Sequence, residues 1–165
     1  LSSASLRYFN AAGASVAHPI GESHTPETHL IPNLLTSFMD AGKLMSVFGN
    51  EHPTPDGTCI RDYVHVDDLA RAHVLALQHI QQSPGAHAFN LGSGRGLSVL
   101  EVIRAAERVT GQKVRLTIEQ ARAGDPPSLV ASNAKAEREL GWKPAITELE
   151  EIIRTAWAWH SHPAY

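Results

Sequence analysis

The sequence predicts an α/β layer architecture with parallel strand pairing and an incomplete sheet, and three observations carry that reading. Strand-like and helix-like segments alternate along the chain, the pattern that joins parallel strands through crossover helices. Two runs, residues 5–10 (SLRYFN) and 86–92 (AHAFNLG), have the character of central-sheet strands. Two strands make a poor sheet core, so most of the parent sheet is expected upstream of Leu1. The chain also opens on Leu1 rather than Met, directly before a strand, and so reads as a piece of something longer.

The elements follow in order. After strand 5–10 comes a long polar loop containing Pro19 and Pro26. Ile31, Leu34, Leu35, Phe38 and Met39 then recur at helical spacing, with Gly42 as a stop. Residues 44–48 (LMSVF) predict a short strand, and the turn formers of NEHPTPDGT a loop. In IRDYVHVDDLARAHVLALQHI a strand runs into a helix capped by Asp67 or Asp68, with an apolar stripe of Leu69, Ala70, His73, Leu77 and Ile80. On that stripe His73 is expected as a packed core residue. Ser83-Pro84-Gly85 breaks the helix before strand 86–92. Ser98 and Glu101 form a capping box that opens the next helix, and Gly111 closes it. VRLTIEQ alternates with period two, as a half-buried strand does. A short helix is expected between Ser132 and Gly141. A second box, Thr147 and Glu150, opens a last helix with Leu149, Ile152, Ile153, Ala156 and Trp157 on its apolar face, before Pro163.

Composition narrows the function. The 165 residues are 42% hydrophobic and 19% charged with a formal net charge of −3, an ordinary soluble-globular balance. No run is long and apolar enough to span a membrane, and no excess of Lys and Arg exists to neutralise nucleic-acid phosphates, so neither partner is expected. The single cysteine, Cys59, cannot form an internal disulfide and fits a reducing cytoplasm. Ten histidines are present, yet there is no H-E-x-x-H and the close pair His160-x-His162 sits at the C-terminus, so no metal site is expected. A serine-hydrolase elbow, G-x-S-x-G, is absent.

Several features suit an anionic ligand. Ligands of open α/β sheets sit beyond the carboxyl ends of strands. Asn10 and Phe48 stand at such ends, one offering an amide and the other a ring. Arg61 and Arg122 carry planar forks that match diphosphate oxygens, and Asp125, in a Gly-Asp-Pro turn, can accept ribose hydroxyls. Each has a plainer alternative. Phe48 fits the core, Arg61 can pair with the neighbouring Asp62, and Asp125 can simply end a turn. Gly92-Ser93-Gly94-Arg95-Gly96 lacks the G-x-G-x-x-G spacing and reads as a strand-to-helix turn rather than a phosphate loop.

In combination the motifs are recognisable. LRYFNAAGA, THLIP, VFGNEHPTPDGTCIRDYVHVDDLARAH, FNLGSGRGLSVLEV, RAGDPPSLVAS and AERELGWKP, in this order, resemble the C-terminal half of the UDP-glucose 4-epimerase family, within the extended short-chain dehydrogenase/reductases. The resemblance covers essentially the whole chain. It implies a Rossmann-type α/β fold of which residues 1–165 form the UDP-sugar-binding half, with 1–12 and about 62–95 returning to edge strands of the Rossmann sheet. The remainder is the small substrate-binding α/β domain.

By the same resemblance, Phe9 lies beside the nicotinamide of NAD and Asn10 binds the sugar diphosphate. His29 and Leu30 occupy a substrate-touching pair that is Asn-Leu in some members, so His29 departs from the pattern. Ser46, Val47 and Phe48 hold the uracil ring, Arg61 and Arg122 the diphosphate, and Asp125 the ribose. Leu129 lines the hexose pocket and sets substrate breadth. The family interconverts UDP-galactose and UDP-glucose through a 4-keto sugar, using NAD and a Tyr-x-x-x-Lys pair. That pair and the glycine-rich NAD loop are not in this sequence, since neither Tyr8 nor Tyr63 has Lys four residues on. The resemblance therefore implies an isomerase of galactose metabolism as the intact cytoplasmic protein, with no catalytic residue in this chain. NAD is expected to be held mainly by the absent N-terminal half, and the partner to be that half or another copy of the chain. Another NAD-dependent nucleotide-sugar epimerase or dehydratase, or a non-catalytic nucleotide-sugar-binding fragment, remains as the alternative.

Overall fold

The computed structural model describes residues 1–40 and 42–162. In chain order its elements are β1 (Ser3–Arg7), β2 (Asn10–Ala12), α1 (Leu30–Met39), β3 (Met45–Phe48), β4 (Ile60–Arg61), β5 (Tyr63–His65) and α2 (Val66–Gln82). They continue as β6 (Ala86–Asn90), β7 (Leu97–Ser98), α3 (Val99–Thr110), β8 (Leu116–Glu119), β9 (Ser128–Leu129), α4 (Ala134–Leu140) and α5 (Leu149–Ser161). The strands form small sheets: β1 pairs parallel with β6, β2 with β5 and β3 with β8, while β4 lies antiparallel to β7 and parallel to β9. This is the α/β architecture with mostly parallel pairing, built from three strand pairs and one three-stranded sheet rather than one broad sheet. The segment expected as one strand over 5–10 divides into β1 and β2, which pair with different partners.

Two cores hold these elements. In the first, α1, α3 and α5 pack on one another and on β3, burying Leu34, Leu35, Val47, Val102, Ile152 and Ile153. The apolar spacing of all three helices produces this arrangement, because each brings one continuous stripe to the shared centre. The second core lies between the β1–β6 pair and the helices α2 and α4, and it buries Phe89, Leu91, Ala72, Ala76 and Trp142. Trp142 is fully buried, and its indole Nε1 donates to Asp68 O at 2.9 Å, which ties the turn after α4 to α2.

Helix ends show where local signals hold and where they yield. The capping box of α3 forms as expected: Ser98 Oγ accepts from Glu101 N at 3.0 Å, and Glu101 Oε2 accepts from Ser98 N at 2.7 Å. Gly111 closes α3 at φ +68, the left-handed conformation that favours glycine. The box expected at Thr147 and Glu150 does not form, since α5 starts after Glu148 with no side-chain cap. Pro163, expected beyond α5, lies outside the described residues. Nor do Asp67 and Asp68 cap α2. His65 takes that place, its Nδ1 accepting from Asp67 N at 3.1 Å, and both aspartates fall in the first turn.

The buried face of α2 is also rotated from the expected stripe. Leu69, Ala72 and Ala76 face the core, and the two alanines let the helix approach the strands closely. Ala70, His73 and Leu77 point outward with Val74, and Leu77 is 56% exposed. His73 is therefore not a core residue. It sits exposed, with Nδ1 2.7 Å from Leu69 O and the Tyr8 ring edge-on to its own.

Candidate functional site

A cavity of about 610 Å³ opens where β2 and β5 begin and β3 and β4 end, beside the start of α1 and the loop before β9. Phe48 and Arg61 stand at the carboxyl ends of β3 and β4, as expected, whereas Asn10, expected at such an end, and Tyr63 begin β2 and β5, because the strand expected over 5–10 breaks before Asn10. Asn10 begins β2, and its Nδ2 donates to Asp62 O at 2.8 Å, which fixes the amide against the β4–β5 segment. Ser46 and Phe48 project into the cavity from β3, whereas Val47 between them is 1% exposed and belongs to the first core. Strand alternation produces this split. His29 and Leu30 line the opposite wall, at the N-terminal end of α1.

Arg61, Asp125 and Arg122 form the charged side. The Arg61 guanidinium pairs with Asp125, and its other nitrogen donates to Ile60 O at 2.7 Å and Pro126 O at 3.0 Å. Its partner is thus a residue 64 positions away and not the adjacent Asp62. Asp62 is 1% exposed, and its carboxylate accepts from Ser93 N at 2.9 Å, Ser93 Oγ at 2.6 Å, Gly94 N at 3.3 Å and Ala131 N at 3.1 Å. That network holds the loops at 93–94 and 131 on the far side of the strand. Arg122 lies over the Phe48 ring, 3.9 Å from its centroid, a cation–π contact that covers an aromatic face left 37% exposed. Phe48 is accordingly a cavity residue and not a core one. Both guanidinium groups line the cavity, Arg61 paired with Asp125 and Arg122 laid over Phe48.

Sequence reasoning missed several wall residues. Tyr63 lies two residues beyond Arg61, and period-two alternation puts the pair on one face, a signal that was available. Its burial pushes the phenol well above the usual tyrosine range, so it stays a neutral donor at any ordinary pH. Cys59 sits on the floor, its Sγ 3.2 Å from His52 Nε2 and 3.6 Å from Asp125 Oδ2. Burial raises the thiol pKa more than Arg61 pulls it down, so the thiol is not activated. Lys43 reaches from the loop before β3 to Thr36 Oγ1 at 2.8 Å and Asn33 Oδ1 at 3.2 Å, on a third wall.

Phe9 and Leu129 do not line the cavity. Phe9 stands 49% exposed between β1 and β2, and Leu129 lies on β9 in register with Arg61 on β4. The backbone amides of Ser93 and Gly94, in the chain's most glycine-rich turn, already donate to Asp62, so that turn has no free cradle for a pyrophosphate.

Comparison with known proteins gives this geometry a family. Residues 1–92 match the model of the NAD dependent epimerase/dehydratase family. The UDP-glucose 4-epimerase of Streptococcus mutans is 51% identical over 156 residues, 94% of this chain and 47% of that protein. The crystal structure of UDP-glucose 4-epimerase from Brucella ovis in complex with NAD superposes with a TM-score of 0.91 at 47% identity, over 97% of this chain and 49% of that one. The enzyme from Bifidobacterium longum in complex with NAD+ and UDP gives a TM-score of 0.89 at 38% identity, over 96% of this chain and 47% of that one. The chain spans about half the length of the curated relatives it matches. With strand pairs, cavity and relatives in agreement, this chain belongs to the NAD dependent epimerase/dehydratase family.

Proposed function

We propose that this chain is the UDP-sugar-binding half of a UDP-glucose 4-epimerase, an enzyme that interconverts UDP-galactose and UDP-glucose through a 4-keto sugar. The observation that carries this reading is the convergence of Asn10, Ser46, Phe48, Arg61, Arg122 and Asp125, from distant segments, on one cavity of about 610 Å³. A nucleoside diphosphate needs those groups together. The Phe48 ring and Ser46 take the base, the Arg61 and Arg122 forks take the diphosphate, Asp125 takes ribose hydroxyls and Asn10 donates to the inner phosphate. His29 and Leu30 border the sugar, with Val47 contributing through its position in β3. Leu129, beside Arg61, would influence which hexose fits.

Asp125 pairs with Arg61 and so holds the guanidinium at the cavity wall, ready for a phosphate, while its second carboxylate oxygen faces the space for a ribose. Anchoring the nucleotide in this way leaves the hexose free to present either face, which is the binding strategy an epimerase needs.

NAD, held mainly by residues outside this chain and touched here by Phe9, supplies hydride acceptance and return at the sugar C4. The proton-transfer pair is likewise outside, because no Tyr-x-x-x-Lys occurs in these 165 residues. The partner of this chain is the remainder of the protein or a second copy, and its compartment is the cytoplasm.

Calorimetry with UDP tests the reading. The full chain should bind UDP, and Arg61→Ala or Arg122→Ala should each cost about 1.5–3 kcal/mol, roughly ten- to more than a hundredfold in affinity. Equal affinity in both variants would put the diphosphate elsewhere. The chain with UDP-galactose and NAD should show no turnover. Conversion by the pure chain would overturn the division of labour.

A further inference from the structure

We propose that Glu22, His24, Glu27 and His29 form a binding site for one divalent transition-metal ion of the zinc class. The four residues lie in the segment that leads into α1, spaced E-x-H-x-x-E-x-H, and their donor atoms all fall within 4.8 Å of one another. Glu22 Oε1 stands 2.9 Å from His24 Nδ1 and 2.6 Å from His29 Nδ1, and Glu27 Oε1 stands 3.2 Å from His29 Nδ1. Tetrahedral zinc with bonds of about 2.0–2.2 Å places its donors roughly 3.3 Å apart. The cluster reaches that geometry when its closest pairs open and its wider ones, which extend up to 4.8 Å, close toward that separation.

Charge points the same way. Among the described residues, neither carboxylate pairs with a Lys or Arg, although the side chains of Glu22 and Glu27 are only 22% and 18% exposed. Two shielded carboxylates thus face each other, countered only by imidazoles that carry charge when protonated. A divalent cation balances them at neutral pH and accepts both imidazole lone pairs. Imidazole with carboxylate is a donor set that suits zinc and its neighbours.

The segment is also held at both ends. Trp159 Nε1 donates to Glu22 O at 2.8 Å, and Asn33 Nδ2 donates to Glu27 O at 3.1 Å. Glu27 Oε1 accepts from the amides of Thr28 and His29, each at 2.7 Å, which orients the carboxylate and leaves the lone pairs of Oε2 for an ion. The imidazoles are 56% and 53% exposed, which gives the ion a path in. Because His29 also lines the cavity described above, an ion on Nδ1 would fix one wall of that cavity while leaving Nε2 free.

The full chain, stripped with chelator, is titrated with Zn²⁺ by calorimetry and with Co²⁺ by visible absorption. The expected result is one ion per chain with micromolar or tighter affinity, and the intense visible bands of four-coordinate cobalt. His24→Ala/His29→Ala should weaken binding by about two orders of magnitude, with Glu22→Gln as the milder variant should the double one fail to fold. His79→Ala/His87→Ala removes the other close imidazole pair, whose rings are 4.7 Å apart, and should leave binding unchanged. No saturable one-to-one binding, or equal affinity in wild type, His24→Ala/His29→Ala and Glu22→Gln, would overturn the site.

Discussion

The two cores differ in how they are closed. Around Leu34, Val102 and Ile153, three helices pack on one another and on β3, so apolar surface is covered from several directions. Around Phe89 and Trp142, α2 and α4 cover one face of the β1–β6 pair, and the other face presents Ser3, Ser5, Arg7 and Asn90 to solvent. Among the described residues β1 pairs with β6 alone, and α2 leaves Val74 and Leu77 more than half exposed. A two-stranded pair is marginal without further strands or a second layer. The cavity is thus built on the better-closed region, while the β1–β6 pair and α2 keep open faces.

The harshest test of that contrast is Trp142→Ala. The indole is fully buried and satisfies Asp68 O, so truncation should cost about 3–5 kcal/mol in urea unfolding. Amide exchange should then rise in α2, α4 and β6 while α3 keeps its protection. Equal loss of protection in α3 would show one cooperative unit and break the distinction between the two regions.

Much of the better-closed region was legible in sequence. The stripes of α1 and α5, the box at Ser98 and Glu101 and the stop at Gly111 are local signals that tertiary structure did not override. The strands β7 and β9 were not legible, because two-residue strands carry no periodicity and exist only through distant pairing, and the single strand expected before α2 divides at Asp62 into β4 and β5. The face of α2 was misread for a different reason. Its sequence holds two apolar stripes, and which of them is buried depends on whether alanines or larger residues meet the strands. At the site, residue chemistry marked Arg61, Arg122 and Asp125, yet the Arg61–Asp125 pairing spans 64 positions and no local rule points to it. The Glu22–His29 cluster escaped because its ligands come from a loop, outside the helical spacings by which histidine pairs are recognised.

The open faces sharpen the contrast next. An unpaired strand edge beside an exposed apolar helix face recruits other chains. The chain should therefore associate as its concentration rises, and Val74→Glu/Leu77→Lys should weaken that association. Burying one such side chain contributes about 1.5–3 kcal/mol, so the loss should be roughly tenfold or more in sedimentation. A monodisperse monomer at high concentration would mean the open faces are stable in water as they stand.

The smallest expected effect lies at the seam between the two regions, where His65 is buried with no exposed surface. Its Nδ1 accepts from Asp67 N at 3.1 Å, which leaves Nε2–H to donate to Thr155 Oγ1 at 3.1 Å. Thr155 Oγ1 also accepts from Ala14 N at 3.1 Å and donates to Ile152 O at 2.8 Å, so the neutral ring at the end of β5 joins α5 and the turn after β2 in one chain of hydrogen bonds. Gly13, at φ +85, makes room for it, since a Cβ there would stand 2.5 Å from the His65 ring. Burial lowers the His65 pKa below its ordinary 6.5, although Asp67 and Asp68 pull it back up. Protonation would place a hydrogen on Nδ1 facing the Asp67 amide, two donors in opposition. The folded state therefore binds its proton less readily than the unfolded chain does. This contribution to stability is fully present above pH 6.5 and is lost as pH falls through the lowered native value. Urea midpoints followed from pH 8 downward should show a decline that begins near the ordinary histidine value and is reduced in His65→Gln. An identical pH profile in the variant would remove His65 as the titrating group and leave the seam held by packing alone.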